Sequence, residues 1–342
     1  MDGMSKAANK LIGILKMKAE CGHAFEISEL LARTAFEVVS SCGFDWSEEM
    51  IEKHGDAALN MSYVLVKVLA LVYKDPLSFK IPWARLSEKQ EFRNAVLPMR
   101  EVNKKHLETV KDEAVTKDNI LSNIIQANSC SDELTIEDVV DDYNTFITAG
   151  METTGITMAC AIWFLSKNQK AQAEVDSVMG DRDQLIFEDL TKLVYTETII
   201  KETLRLKTPL AGTIRQCIKN HGASVNGVHF PKGTQLFVPY PNLHVHARYW
   251  KDPDVFDPER FAPSSAKNIA PCTYMPFSTG PRNCIGKNFA MLEMKIILAN
   301  ILRNFVVVNA NPDEKELETV RHVTIRPING VNVRLVSRVD II

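Results

Sequence analysis

Cys284 stands in the segment Phe277-Ser278-Thr279-Gly280-Pro281-Arg282-Asn283-Cys284-Ile285-Gly286. Glycines punctuate this stretch, an arginine lies two residues before the cysteine, and a helix-like run, Lys287 to Phe305, follows it. Backbone N–H groups and a helix N-terminus at such a place hold a cysteine as its thiolate, and thiolates bind soft metals. A second stretch, Ala149-Gly150-Met151-Glu152-Thr153-Thr154, sets an acid beside a threonine inside a long apolar pattern. Threonine is β-branched, and its hydroxyl can bond back to the carbonyl four residues earlier, here that of Ala149. Gly150 weakens the helix further. Loosening of this kind leaves room for a small molecule such as O2 or water. A third element, Glu202-x-x-Arg205, places an acid and a base at i, i+3 on one helix face; alone it reads as a surface ion pair worth about 0–1 kcal/mol. His244 and His246 lie at period two and could share one side of a strand, but no further ligand lies nearby, so they read as surface histidines.

The elements that must carry these groups are mostly helical. Met4 to Ala19, Ile27 to Val39 and Ala57 to Val72 repeat apolar residues at helical spacing. Asp75-Pro76 and Ile81-Pro82 break that pattern, and Glu91 to Ala127 is a charged helical stretch with a solvated face. Thr135 has the character of an N-cap, with Glu137 and Asp138 in the first turn. The pattern behind it runs to about Leu165, a helix of roughly 45 Å at 1.5 Å per residue. Another helix spans Tyr195 to Leu206 and stops before Pro209. Between Thr213 and Tyr240 short apolar pieces alternate with Asn226-Gly227 and Pro231-Lys232-Gly233, which are hairpin and turn signals. A meander rich in Pro and Asp covers Asp252 to Pro263. Two strands, Val320 to Arg326 and Val331 to Val336, close the chain around Pro327-Ile328-Asn329-Gly330.

Composition sets bounds on function. The 342 residues are 45% hydrophobic and 24% charged, ordinary for a globular protein with a sizeable core. A net charge of −3 without a basic block points away from nucleic acid as a partner. The seven cysteines are scattered and contain no Cys-x-x-Cys pair, the usage of reduced thiols in a cytosolic redox environment. No apolar run reads as long enough to span a bilayer; the best, Val64 to Tyr73, is interrupted by Lys67.

Taken together, the motifs resemble those of the heme-thiolate monooxygenases, the cytochromes P-450. That family's loop reads Phe-x-x-Gly-x-Arg-x-Cys-x-Gly, and Phe277, Gly280, Arg282, Cys284 and Gly286 match every fixed position. Glu152-Thr153 falls in its oxygen-activation motif, and Pro258-Glu259-Arg260-Phe261 matches its Pro-Glu-Arg-Phe element. The resemblance implies a mainly α fold with small β portions, in one heme-thiolate domain over residues 1–342. Heme would be the cofactor, with Cys284 as iron ligand. Phe277 would shield the sulfur, and Gly286 would stand beside it. Ala149 and Gly150 would leave space next to the heme. Arg215 and Arg282 would meet the propionates, since guanidinium donates paired bonds to carboxylates. Thr153 would hydrogen-bond activated oxygen and Glu152 would relay protons. A buried Glu202–Arg205–Arg260 cluster would pin the meander and the cysteine loop. Electrons would come from an NADPH-dependent reductase docking near the cysteine side.

Ala173-Glu174-Val175-Asp176, Phe187-Glu188-Asp189-Leu190, Leu210-Ala211-Gly212-Thr213-Ile214-Arg215 and Met275-Pro276-Phe277-Ser278 resemble the cholesterol 24-hydroxylase branch of the family. That implies a small apolar substrate, a sterol, against Ala149, Ala211, Gly212, Thr213 and Thr324. Fatty-acid or xenobiotic hydroxylation is the alternative substrate class. Lys207-Thr208-Pro209 departs from the aromatic and two prolines found in many members. The opening residues resemble the middle of a family member, so the fold is expected to be N-terminally incomplete. In a full-length parent, the endoplasmic reticulum membrane, cytosolic face, is the expected location. A heme-thiolate isomerase acting on peroxides would not need the acid–threonine pair, and a heme-free fragment would be inactive.

Overall fold

The computed structural model describes residues 2–74, 85–114, 119–129, 135–166, 170–220, 222–321 and 323–338. The breaks expected at Asp75-Pro76 and Ile81-Pro82 lie outside them, as does Cys130. The first helix, α1 (Asp2–Cys21), buries Met4, Ala7, Ala8, Leu11, Ile12 and Leu15, a stripe at helical spacing that faces the core. A two-residue strand, β1 (Phe25–Glu26), leads into α2 (Ser28–Val38), which ends in a π-turn over Val39–Gly43. Next come α3 (Glu48–Lys74), α4 (Leu86–Ala114) and α5 (Ile120–Ser129).

The central element is α6 (Ile136–Leu165), with both ends where the sequence places them. Thr135 caps it in a reciprocal box: the Asp138 N–H donates to the Thr135 hydroxyl (3.3 Å) and the Thr135 N–H donates to the Asp138 carboxylate (2.8 Å). Its first half is held by the buried Tyr143 hydroxyl, which accepts from Trp46 Nε1–H (2.6 Å) and lies 2.8 Å from His106 Nδ1. The second half is buried nearly all round, because α2 lies along it. Two glycines permit that approach. A Cβ on Gly150 would come within 3.1 Å of the Val39 side chain, and one on Gly155 within 2.8 Å of the Ala32 Cα. Gly150 therefore also serves the packing of α6 against the turn that ends α2.

Gly155→Ala is expected to cost about 1–3 kcal/mol, since the obstructing atom is backbone and the helices must part. Gly13→Ala meets nothing within 4 Å and should be stabilising by about 0.5–1 kcal/mol, the difference in helix propensity. Paired denaturation curves compare the two, and equal shifts would count against the close crossing.

Beyond α6 follow α7 (Lys170–Met179) and α8 (Val194–Leu206). Antiparallel strands β2 (Gly212–Gln216) and β5 (Gln235–Pro239) pair Thr213 with Val238 and Arg215 with Leu236. The hairpin β3 (Ala223–Val225) to β4 (Val228–Phe230) lies between them, turned by Asn226 (φ 49°) and Gly227 (φ 79°), the left-handed pair that a two-residue hairpin needs. A short helix, α9 (Tyr240–His244), precedes the meander, and α10 (Lys287–Asn304) follows the cysteine loop. The main core gathers from α1, α2, α6, α8, α10 and the closing strands.

Two expectations change. Val320 to Arg326 is two strands, β7 (Thr319–Arg321) and β8 (Ile325–Pro327), which pair with each other. The last strand, β9 (Asn332–Ser337), instead lies between β1 and β6 (Phe305–Asn309). Furthermore, Glu48–Val72 of α3 is long and apolar enough to cross a membrane by length and composition, because the helix begins well before the run at Val64. Its Val64 and Val68 pack on Ala95 of α4.

Candidate heme-thiolate site

The cysteine loop is shaped by its backbone. Ser278 (φ 61°) and Gly280 (φ 78°) adopt left-handed conformations that turn the chain back. The Ser278 N–H then donates to the Met275 carbonyl (3.0 Å), and the Cys284 N–H to the Phe277 carbonyl (2.8 Å). Gly286 occupies the N-cap of α10, so Cys284 lies just before the positive end of that helix dipole. The Cys284 side chain is exposed and Ile285 is 84% exposed. A Cβ on Gly286 would find only the Cys284 sulfur, at 4.0 Å, so glycine keeps the space beside the sulfur open. Phe277 is half-buried and packs its ring on the main core.

On α6, Ala149, Glu152, Thr153 and Ile156 fall at i, i+3, i+4 and i+7 and share one stripe. Where neighbouring faces are buried, Ala149 is exposed and the other three are half-buried. The Thr153 hydroxyl donates to the Ala149 carbonyl at 2.8 Å, the back-bond its sequence position implies. Glu152 is held at both oxygens: Oε1 accepts from the Thr324 hydroxyl (2.8 Å) and Arg326 Nη2 (2.8 Å), and Oε2 from the Ser62 hydroxyl (3.0 Å). Arg326 also lies over the Tyr63 ring at 5.3 Å. These partners join Glu152 to α3 and β8 and were not legible in the sequence. A cavity of about 700 Å³ runs along this flank, lined by Glu152 and Ile156 of the stripe together with Ser62, Tyr63 and Arg326. Of the expected pocket wall, Thr324 bridges to Leu210, beside Ala211.

Glu202, Arg205 and Arg260 come together. Glu202 and Arg205 are fully buried. The Glu202 carboxylate accepts from Arg205 Nη2 (2.7 Å) and Nε (2.8 Å) and pairs with Arg260 Nε at 3.5 Å. Burial pushes its carboxyl above the ordinary range, against the pull of Arg205, the Asp257 N–H and Arg260. Arg205 also donates to the carbonyls of His244 (3.0 Å), Pro253 (2.6 Å) and Val255 (3.1 Å), which stitches the meander to α8.

His244 corrects the reading of a surface histidine. It ends a helix rather than lying on a strand, and it is fully buried, whereas His246 is exposed. Another functional candidate missed in the sequence is Glu293, fully buried on α10 with Oε1 lacking a hydrogen-bond partner. An acid amid the apolar run Met291 to Leu302 was the available signal.

Arg215 bonds only locally, to the Thr213 hydroxyl (2.5 Å) and the Ile214 carbonyl (3.0 Å). Neither it nor Arg282 forms an ion pair among the described residues. Both are exposed, and Ile214 and Phe237 expose apolar surface on β2 and β5. No group of three or more His, Cys, Asp or Glu side chains gathers among the described residues. Cys284 offers a metal one soft sulfur, and the exposed Arg215 and Arg282 guanidiniums can meet carboxylates. Heme, apolar and flat with an iron and two propionates, fits that set of donors.

A mainly helical body crossed by one long helix, with a lone thiol ahead of a second, is the architecture of a heme-thiolate protein. The chain belongs to the cytochrome P-450 family, whose sequence model matches residues 1–332. Cytochrome P-450 3A13 of Mus musculus is 35% identical over 197 residues, 56% of this chain and 39% of that protein. Human cytochrome P-450 4V2 is 38% identical over 211 residues, 60% of this chain and 39% of that protein. Lithocholate 6-beta-hydroxylase of Mesocricetus auratus is 34% identical over 197 residues, 56% of this chain and 39% of that protein. These matches thus span about two fifths of each relative's length. The fold is shared with the crystal structure of a cytochrome P-450, CYP102L1 (TM-score 0.83, 24% identity), covering 98% of this chain and 73% of that one. It is shared equally with the cytochrome P-450DA heme domain (TM-score 0.84, 22% identity), with the same coverage.

Proposed function

We propose that residues 1–342 form one heme-thiolate monooxygenase domain that hydroxylates a small apolar substrate, a sterol. The observation that carries this reading is the exposed Cys284 at the head of α10, in a chain whose α6 leaves the Ala149–Thr153 stripe open. Bound heme supplies reductive O2 activation, which a thiolate ligand favours. Cys284 would hold its iron, with Gly286 leaving room at the sulfur and Phe277 excluding water. Arg215 and Arg282 would orient it through its propionates. Ala149, exposed on α6, would leave space for it.

Thr153 gives its hydroxyl proton to the Ala149 carbonyl, so Oγ1 offers lone pairs towards the stripe. It would accept a proton there and pass one on as the back-bond shifts. Glu152 borders the cavity, and its carboxylate would exchange protons with water in it, the Ser62 and Thr324 hydroxyls setting its direction. A sterol is supported by the cholesterol 24-hydroxylase-like stretches and by a relative named for hydroxylation of lithocholate. An NADPH-dependent reductase is the electron donor proposed, and the cytosolic face of the endoplasmic reticulum the proposed location of the whole protein.

The test is the spectrum of the reduced, carbon-monoxide-bound chain after expression with heme supplied. A strongly red-shifted Soret band is expected in the parent and its loss in Cys284→Ala. An unshifted band in the parent, or a shifted one surviving in Cys284→Ala, would overturn the reading. Titration with sterols against fatty acids then fixes the substrate class.

A further inference from the structure

We propose that His244 is a positioning residue that couples the Glu202–Arg205 cluster to the Met275–Cys284 loop. Its main chain and its side chain face two different partners. The His244 carbonyl accepts from Arg205 Nη1 at 3.0 Å, and its ring Nε2 accepts the N–H of Met275 at 2.9 Å. A ring nitrogen accepts only when it carries no proton, so the imidazole is neutral with its proton on Nδ1. Two backbone bonds carry the constraint onward. Ser278 N–H holds to the carbonyl of Met275, and Cys284 N–H holds to that of Phe277. Met275 is therefore the loop's entry point, and His244 fixes it.

The surroundings hold the ring still. His244 is fully buried, lies parallel to Tyr240 (centroids 6.3 Å apart) and approaches Tyr274 (5.5 Å). The Tyr274 hydroxyl donates to the Lys201 carbonyl (3.0 Å), a second tie from this segment to α8. The charged groups facing the ring are Arg205, from α8, and Glu202 behind it, and the titratable rings beside it are Tyr240 and Tyr274. Burial first, and Arg205 second, push the imidazolium down to about 4, so the accepting form persists at neutral pH. Protonation would remove the lone pair that Met275 uses and set a second cation against Arg205.

Substitutions separate the acceptor from the bulk of the ring. Gln places an oxygen as many bonds from Cβ as Nε2 and can accept from Met275, whereas Phe keeps the aromatic stack and cannot. Hydrogen exchange of the 342-residue chain without heme reads the loop directly. In His244→Phe, exchange across residues 273–284 should rise roughly tenfold, as expected for one orphaned buried N–H, while peptides from α1 and from the centre of α6 hold. His244→Gln should exchange like the parent. No rise in His244→Phe, or an equal rise in His244→Gln, would overturn the proposal.

Should the Phe variant loosen every peptide, the parent alone decides. Exchange of the loop, corrected for intrinsic pH dependence, should rise as the His244 ring titrates by NMR; a loop indifferent to that titration refutes the coupling. A further readout, the red-shifted fraction of the carbon-monoxide band in heme-loaded protein, should fall in His244→Phe and recover in His244→Gln. That readout rests on Cys284 as the iron ligand. No shifted band in the parent, with the exchange result intact, would count against the heme reading and leave the His244 coupling standing.

Discussion

Glu202→Ala should lower stability by about 3–5 kcal/mol, the cost of stripping one partner from a buried ion pair. Glu202 and Arg205 have no solvent-exposed surface, so water cannot replace the lost carboxylate. Arg205 would keep its three carbonyl acceptors and its place 5.0 Å from the Trp250 ring, but its charge would be uncompensated. The Asp257 N–H, which donates to Glu202 at 2.9 Å, would be orphaned as well. An exposed pair at the same spacing would yield about 0–1 kcal/mol. A urea unfolding midpoint therefore distinguishes the two cases, and a loss below 1 kcal/mol would mean that water reaches the cluster.

The intact cluster need not add much net stability. Burial raises the Glu202 carboxyl in spite of two guanidiniums, so dehydration offsets much of the attraction. Its larger contribution is geometric, fixing the carbonyls of His244, Pro253 and Val255 around one planar cation. A Glu202→Leu, Arg205→Met double variant should accordingly recover part of the stability lost by either single change, while losing the placement of the meander.

What the sequence disclosed depended on how local each signal was. The Thr135 cap, the Asn226-Gly227 turn and the cysteine loop are set within a few residues, and each appears where its pattern puts it. The Glu202–Arg260 pairing spans many residues but was legible because both motifs resemble one family. His244 left no such trace. Its burial depends on Met275 and Arg205 meeting around it, and period-two spacing with His246 suggested a strand. Gly150 was legible as a weak point in α6, but its packing depends on Val39, in the turn that ends α2 over a hundred positions earlier. Likewise, β1 is too short to show a period and exists because β9 pairs with it. The partners of Glu152 were equally hidden, since Ser62, Thr324 and Arg326 come from opposite ends of the chain.

Glu293→Gln should stabilise the protein at alkaline pH and do little in acid. Glu293 is fully buried, and burial alone lifts its carboxyl well above its ordinary value of 4.5. Below about pH 4.5 the folded and unfolded chains both hold the proton, and ionisation costs nothing. Above it the unfolded chain releases the proton and the folded chain keeps it, so stability falls as pH rises towards the folded value. Glutamine keeps the shape and removes the titration. His244 acts in the opposite sense. Its folded value, about 4, lies below the ordinary 6.5, so its contribution is complete above pH 6.5. About 3 kcal/mol is lost as pH falls between those two values. His244 thus contributes to sensitivity in acid, and Glu293 to sensitivity in alkali. Denaturant midpoints at pH 5 and pH 8 should show the Gln variant ahead of the parent by more at pH 8, with the acid side of the profile unchanged. A gap that is equal at both pH values would mean that Glu293 finds a counter-charge or water inside the fold.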